Sequence, residues 1–418
     1  MNYILQKIHS FVSLTAIGFL LILAGCQTLP PPVQSPTLRL PTPIIPAPQT
    51  SSESNEPTAP VPTAPVTVLP STTPLAETLI PVNWSDLPGW SQDNHAAVLP
   101  GLLASCPFLK KQTPWRLPCE AARQPSSPEE AKSYFENYFT AYRVMNPQGS
   151  GEGLITGYYE PLLKGSRKSS ATYRYPIYTT PKDLRTIEPT TQNQTGNPNF
   201  TKGRWQDSQF IPYYDRAQID SGKFPLNNQV IAWVDDPIEL FFLHVQGSGR
   251  VALDNGEIIR VGFANHNGLT YRSIGKILVD RGDLSLDQAS MQGIKAWAQA
   301  NPKKLTPLLN QNPRYVFFRE VKNADTSPAG ALGIALTPQR SLAIDTRFIP
   351  LGAPVYIDTT WPLSNKSLQQ LMLAQDTGGA ILGAVRADFF WGSGPLAELE
   401  SGRMKQALKM WLLLPKSP

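Results

Sequence analysis

The sequence has little of what most hydrolytic and redox sites are built from. It holds four histidines and three cysteines in 418 residues. His95, His244 and His266 are far apart, and none falls in an H-E-x-x-H pattern, which speaks against a zinc hydrolase. There is no G-x-S-x-G elbow and no P-loop. Gln246-Gly247-Ser248-Gly249 is glycine-rich but lacks the Rossmann spacing. No block of Lys or Arg stands out, and the net charge is only +5, so nucleic acid is not an expected partner. No metal or cofactor is called for. No run is long enough to cross a bilayer: the apolar stretch from Phe11 to Leu23 falls short of the ~20 residues a spanning helix needs.

That stretch has another use. It follows a short polar start with Lys7 and His9 and ends in Leu23-Ala24-Gly25-Cys26. This is the outline of a secretory signal peptide over residues 1–25. Its last four residues resemble the bacterial lipobox, in which the Cys is acylated and becomes the new N-terminus. The competing reading is a signal anchor with an incidental Cys. A multiply acylated Cys26 is a lasting membrane tether, since two chains hold where one binds weakly. Gln27 follows it rather than Asp, which by Gram-negative sorting rules points to the outer membrane, facing the periplasm. Export also makes disulfides possible. Cys106 and Cys119 are then either a loop-closing pair or two buried thiols.

Residues 26–80 are rich in Pro, Thr, Ser and Ala and cannot bury a core. They read as a solvated linker of ~150 Å when extended and ~40 Å as a coil. Order is expected from about Val82. A helix over Gln92–Ser105 is expected to kink or split at Pro100-Gly101. A second opens at Ser127 with Pro128 and Glu130, and Phe135, Tyr138, Phe139 and Tyr142 continue its core-facing spacing. Beyond Gly153 the pattern turns to β. Strands are predicted at Leu154–Tyr159, Val230–Val234, Leu240–Val245, Glu257–Val261, Tyr315–Val321, Leu342–Ile344, Val355–Asp358, Leu371–Ala374 and Leu408–Leu414. Helices are predicted at Tyr271–Arg281 and Leu286–Ala300, the latter capped by Ser285 and Gln288. The fold class is mainly β with helices (α+β).

What remains for chemistry is carboxylates. Asp345, Asp376 and Asp388 each follow or end an apolar run, where a strand meets a turn. Cleaving a glycosidic bond requires a carboxylic acid still protonated near neutral pH, and an apolar pocket raises a carboxyl pKa. Asp388 precedes Phe389, Phe390 and Trp391, which makes it the candidate acid. Taken singly, each Asp is also readable as a turn cap.

Six motifs occur in order: TGYYEP (Thr156–Pro161), FFLHVQGSGR (Phe241–Arg250), YRSIG (Tyr271–Gly275), DTRFIPLGAPVYI (from Asp345), QDTGGAI (around Asp376) and RADFFWGSG (around Asp388). Together they resemble the membrane-bound lytic murein transglycosylase A family, the last three forming its C-terminal 3D module at about 330–414. The resemblance implies a double-psi β-barrel formed by 81–162 plus 268–418, with a second β domain, 163–267, inserted and a groove between them. It implies cleavage of the β-1,4 bond between N-acetylmuramic acid and N-acetylglucosamine without water, giving 1,6-anhydromuramyl ends. The partners are peptidoglycan glycan strands, with wall-synthesis proteins by analogy. Asp388 maps onto the single catalytic Asp, acid first and base second. Asp376 shapes the field around it or binds sugar. Thr156, Gln246, Gly247 and Ser248 line the groove, Tyr158 and Trp391 offer stacking surface, and Gly378 and Gly379 allow close backbone approach. Asp345 is left between a structural role and a place in the site. The alternative function is a peptidoglycan-binding lipoprotein without catalysis.

Overall fold

The structure, a computed structural model, describes residues 78–187, 201–222, 229–322 and 327–416. The expected signal peptide, Cys26, Gln27 and nearly all of the linker lie outside the described residues. Six strands form the ring that holds the catalytic candidates: β1 (Gly153–Glu160), β2 (Ser341–Ile344), β3 (Pro354–Thr360), β4 (Ser367–Asp376), β5 (Arg386–Ser393) and β6 (Lys405–Pro415). Their neighbour order is β1-β6-β3-β4-β2-β5, and β5 pairs back onto β1, so the sheet closes on itself. Two neighbour pairs, β5 with β1 and β2 with β4, are parallel; the other four are antiparallel.

Closure depends on the length of β6. Its first residues, Lys405–Leu408, pair with β1, and Lys409–Leu412 pair with β3. Its far end takes on Phe139–Val144, which in turn pairs with Leu79–Val82. The ring encloses alternating apolar side chains, among them Ile155, Leu342, Ile357, Met372, Phe389 and Met410, none more than 1% exposed. Each such burial contributes ~1.5–3 kcal/mol before the entropy of ordering is set against it.

One residue, Pro161, separates β1 from the first strand of a second sheet, Leu162–Ser166. That sheet runs, in neighbour order, Val316–Val321, Ile258–His266, Ser248–Leu253, Leu162–Ser166, Val230–Val234, Tyr175–Tyr178. It therefore draws a strand from beyond 267, the boundary expected from the sequence. A small three-stranded sheet, Arg185–Thr186, Lys202–Gln206 and Gln209–Pro212, lies within the same stretch of chain.

Several local expectations need correction. Leu240–Val245, read as a strand, is the middle of helix Pro237–Gln246. Asp236 accepts from the Ile238 N–H at 2.8 Å, Pro237 opens the first turn, and Gly247, at φ 79°, ends the helix. Its apolar run is continuous because Ile238, Leu240, Phe241, Phe242 and Leu243 are all buried, which hides the helical period. Pro100 makes no kink: it sits in the first turn of helix Leu99–Leu109, where a missing N–H costs nothing. Helix Pro128–Tyr138 is capped by Ser127 as expected but stops before Phe139, which starts a strand, so Phe139 and Tyr142 are strand residues. The helix expected over Leu286–Ala300 opens at Met291 behind Ser290. Gln288 still accepts from the Ser285 N–H at 3.1 Å, but in a preceding turn.

Cys106, in the helix Leu99–Leu109, is bonded to Cys119 in the short helix Arg116–Ala121. Replacing both by Ser should lower stability by about 3 kcal/mol, the scale for a loop of this size. Denaturant midpoints of the variant and of reduced wild type check this, and both should shift downward.

Candidate active site

Strand register builds the site. Ala343 on β2 is paired on one side with Asp376 on β4 and on the other with Asp388 on β5; Asp388 is in turn paired with Thr156 on β1. Four neighbouring strands thus bring Asp376, Ala343, Asp388 and Thr156 into one row. A rigid backbone at each point fixes where the two carboxylates stand relative to one another.

Asp388 is partly exposed, and its two oxygens differ. Oδ1 accepts from the Thr156 hydroxyl at 2.6 Å; Oδ2 makes no hydrogen bond among the described residues. Thr156 has one proton to give, and its oxygen accepts from Arg386 Nη2 at 2.9 Å. Arg386 is anchored in turn on the carbonyls of Leu154 and Ala387. Burial disfavours the charged Asp388. The Thr156 hydrogen bond and the Arg386 charge oppose that, the Asp376 charge adds to it, and the carboxyl is raised to about 6.

Asp376 is occupied differently. Its Oδ1 accepts from the N–H groups of Ala331 and Thr377, both at 2.9 Å, and its Oδ2 from the Tyr158 hydroxyl at 2.9 Å. Burial raises its pKa against those three donors. Tyr158 is itself raised well above its usual value, first by burial and then by Asp376 and Asp388, so it remains a proton donor to Asp376. With both oxygens engaged, Asp376 is a fixed polar neighbour rather than a free base. Asp345 is tied down more fully: Arg347 bonds it through Nε at 2.9 Å and Nη2 at 2.5 Å, and the N–H of Gly383 donates at 2.8 Å. Burial works against its ionisation, but these donors hold its pKa below the usual value. It organises the turn that leaves β2.

The other expected site residues divide. Gln246 accepts from the Tyr159 N–H at 3.0 Å, tying helix Pro237–Gln246 to β1. Gly247 is that helix's left-handed terminator, and Ser248 starts the next strand. Tyr158 is 9% exposed and tilts against Phe390, with centroids 5.2 Å apart. Trp391 does not offer a stacking face. It alternates away from Asp388 along β5 and packs on Phe389 and Trp361, 5% exposed. A Cβ at Gly378 would stand 2.7 Å from Ile381 Cγ1, so this glycine makes room for its own turn. A Cβ at Gly379 would stand 3.3 Å from Arg314 Nη2.

A family model described as the MltA specific insert domain matches residues 154–319, and one for the 3D domain matches 340–414. A membrane-bound lytic murein transglycosylase A of Vibrio cholerae is 30% identical over 278 residues, 64% of this chain and 67% of that one. Among solved structures, MltA from Neisseria gonorrhoeae is 39% identical with TM-score 0.70, covering 81% of this chain and 93% of that one. A membrane-bound lytic murein transglycosylase from Agrobacterium tumefaciens is 32% identical with TM-score 0.73, covering 81% and 98%. The chain belongs to the membrane-bound lytic murein transglycosylase A family. The α+β architecture of that family's structures is the one described above.

Sequence reasoning missed two residues of the candidate site. Arg386 precedes Asp388 by two residues and so shares its strand face; that period-two signal was available in Arg-Ala-Asp. Phe390 shares the same face on the other side of Asp388, whereas Trp391 alternates away from it.

The raised Asp388 carboxyl has a consequence for stability. The folded state holds this proton up to about pH 6, while the unfolded chain releases it near pH 4. Folding is therefore penalised progressively as pH rises from about 4 to about 6, and the penalty is constant above. Asp388→Asn should remove it. Thermal unfolding of variant and wild type should nearly coincide at pH 4, with the variant melting higher at pH 7 and above. Equal spacing at all pH values would be inconsistent with the raised pKa.

Proposed function

We propose that this chain cleaves the β-1,4 bond between N-acetylmuramic acid and N-acetylglucosamine of peptidoglycan without water, with Asp388 as sole acid and base. The observation that carries this is the asymmetry among three carboxylates. Asp388 has a free Oδ2 and a pKa of about 6, while Asp345 and Asp376 have both oxygens held by donors. Ordinary glycosidases need a second carboxylate as nucleophile or base. No second one is free in this row.

In the first step the Asp388 proton passes to the bridging oxygen as the bond from muramyl C1 to that oxygen breaks. In the second, the Asp388 carboxylate takes the proton of the muramyl 6-hydroxyl as its oxygen bonds to C1. The product is a 1,6-anhydro sugar, and Asp388 ends protonated as it began. An intramolecular hydroxyl is already positioned, so no water site is required. Thr156, backed by Arg386, stabilises the carboxylate between the two steps and fixes Oδ1, leaving Oδ2 to exchange the proton. The structural parts of this reading are a double-psi β-barrel, supported by the closed six-stranded ring with its two parallel pairs, and an inserted β domain with the glycan groove between them. We further take the chain to be tethered by a lipid on Cys26 to the outer membrane, facing the wall.

Asp388→Asn should reduce release of anhydromuropeptides from purified sacculi by on the order of 10²–10⁴-fold, read by mass spectrometry. Undiminished release would remove Asp388 from its role, and products ending in reducing sugars would indicate hydrolysis instead. Binding to sacculi with no soluble fragments from wild type would leave a binding protein. Because Asp388 starts protonated, kcat/KM should fall as pH rises through about 6. In Thr156→Val the hydroxyl that favours the carboxylate is gone, so that limb should move to higher pH while kcat drops. An unmoved limb would show that Thr156 only fills space.

A further inference from the structure

A cleft of about 440 Å³ lies between the barrel and the second sheet. Arg250 and Arg260 line it from the second sheet; Glu160, Pro338, Phe390 and Ser393 line it from the barrel side. Glu160 is 2% exposed and belongs to Arg260, which bonds it in fork geometry, Nε to Oε1 at 2.6 Å and Nη2 to Oε2 at 3.1 Å. Arg250 reaches the same carboxylate only at 3.4 Å, through Nε, and its side chain is 25% exposed. Arg250 Nε and Arg260 Nη1 are buried without hydrogen-bond partners. Two guanidiniums thus share one carboxylate. No other charged residue lines the cleft, and among the described residues no second carboxylate pairs with either arginine.

An uncompensated positive charge in a partly buried cleft is costly unless an anion completes it. Arginine suits a carboxylate above other anions of low charge, because its planar fork matches the two oxygens. The location narrows the source. Phe390 and Gly392 lie on β5 two and four residues beyond Asp388, ~7 and ~13 Å along the strand. The cleft is therefore within reach of the sugars flanking the cleaved bond. The glycan itself is uncharged except at muramic acid, whose lactyl group ends in a carboxylate or carries a peptide that has its own.

We propose that this cleft is a carboxylate-recognition subsite in which Arg250 pairs with an acidic group borne by the muramyl unit, either the free lactyl carboxylate or a carboxylate of the attached peptide. The proposal rests on the substrate assigned above and goes beyond it: the subsite selects muramyl glycan over chitin-like glycan. Arg250 is the selecting residue, and the Glu160–Arg260 pair holds the wall it stands on.

The test is a calorimetric titration of the full chain carrying Asp388→Asn, so that ligand is not consumed. Three ligands are compared: chitohexaose, a peptide-free GlcNAc–MurNAc tetrasaccharide, and the same tetrasaccharide bearing peptides. A carboxylate-bearing ligand should bind about tenfold more tightly than chitohexaose, the scale of one charge-assisted hydrogen bond. Arg250→Gln should erase that advantage with chitohexaose affinity unchanged, and Arg250→Lys should recover part of it. An advantage shown by the peptide-free glycan assigns the lactyl carboxylate; one confined to the peptide-bearing glycan assigns the peptide. If Arg250→Gln keeps the preference, or weakens all three ligands alike, the proposal fails. If wild type releases nothing from sacculi while the preference persists, the reaction assigned above fails and the subsite stands.

Discussion

The site depends on one alanine. Ala343 has a strand neighbour on either side, and its partners in the two ladders are Asp376 and Asp388. Because side chains alternate faces, a one-residue slip in either ladder would turn an aspartate away from its neighbours. Register is held by the core behind it: Leu342 and Ile344 flank Ala343 on β2, and Phe389 and Ala387 flank Asp388 on β5, all buried. The apolar interior of the ring and the polar row at its edge are thus two faces of the same strands. What keeps the barrel closed also keeps the carboxylates apart by a fixed distance.

That closure explains how two similar aspartates come to differ. Asp376 ends β4, where the chain turns, so backbone N–H groups of Thr377 and Ala331 are available to it. Asp388 lies inside β5, where backbone donors are committed to the ladders with β2 and β1. It is left with one side-chain donor, Thr156, and with the pKa that burial imposes. Position along a strand, rather than residue type, leaves one carboxylate with both oxygens held by donors and the other with a free oxygen and a raised pKa.

Much of this was legible in the sequence, and the failures have physical causes. The strand Val230–Val234 was read to the residue, and Leu342–Ile344 to within one residue of Ser341–Ile344, because apolar runs there end at turn residues. Asp388 stood out through the aromatics after it. The same run misled as to which aromatic shares its face: Phe390 faces with Asp388, while Trp391 fills the core, where Gly157 leaves room for its indole. The helix Pro237–Gln246 was misread because burial on all sides erases the amphipathic pattern that distinguishes helix from strand. Its Asp-Pro opening and Gly ending were the better evidence. The pairing of Ala343 with two distant aspartates has no local signal at all, since register between strands far apart in sequence is set by tertiary packing.

The stretch of chain between β1 and the rest of the ring has its own logic. Pro161 passes the chain directly from a barrel strand into the second sheet, so Glu160 at the end of β1 stands where the two sheets meet. Its bond to Arg260 fastens them, and Gln246 adds a second tie by accepting from the Tyr159 N–H. A charge pair buried at such a seam is a weak source of stability, because desolvation offsets most of the attraction. Its geometric effect is stronger. It sets the second sheet against β1 at a point two strand residues from Tyr158, the donor that holds Asp376. The wall of the cleft and the carboxylate row are therefore positioned from the same strand, and a shift of one relative to the other would require breaking a buried ion pair.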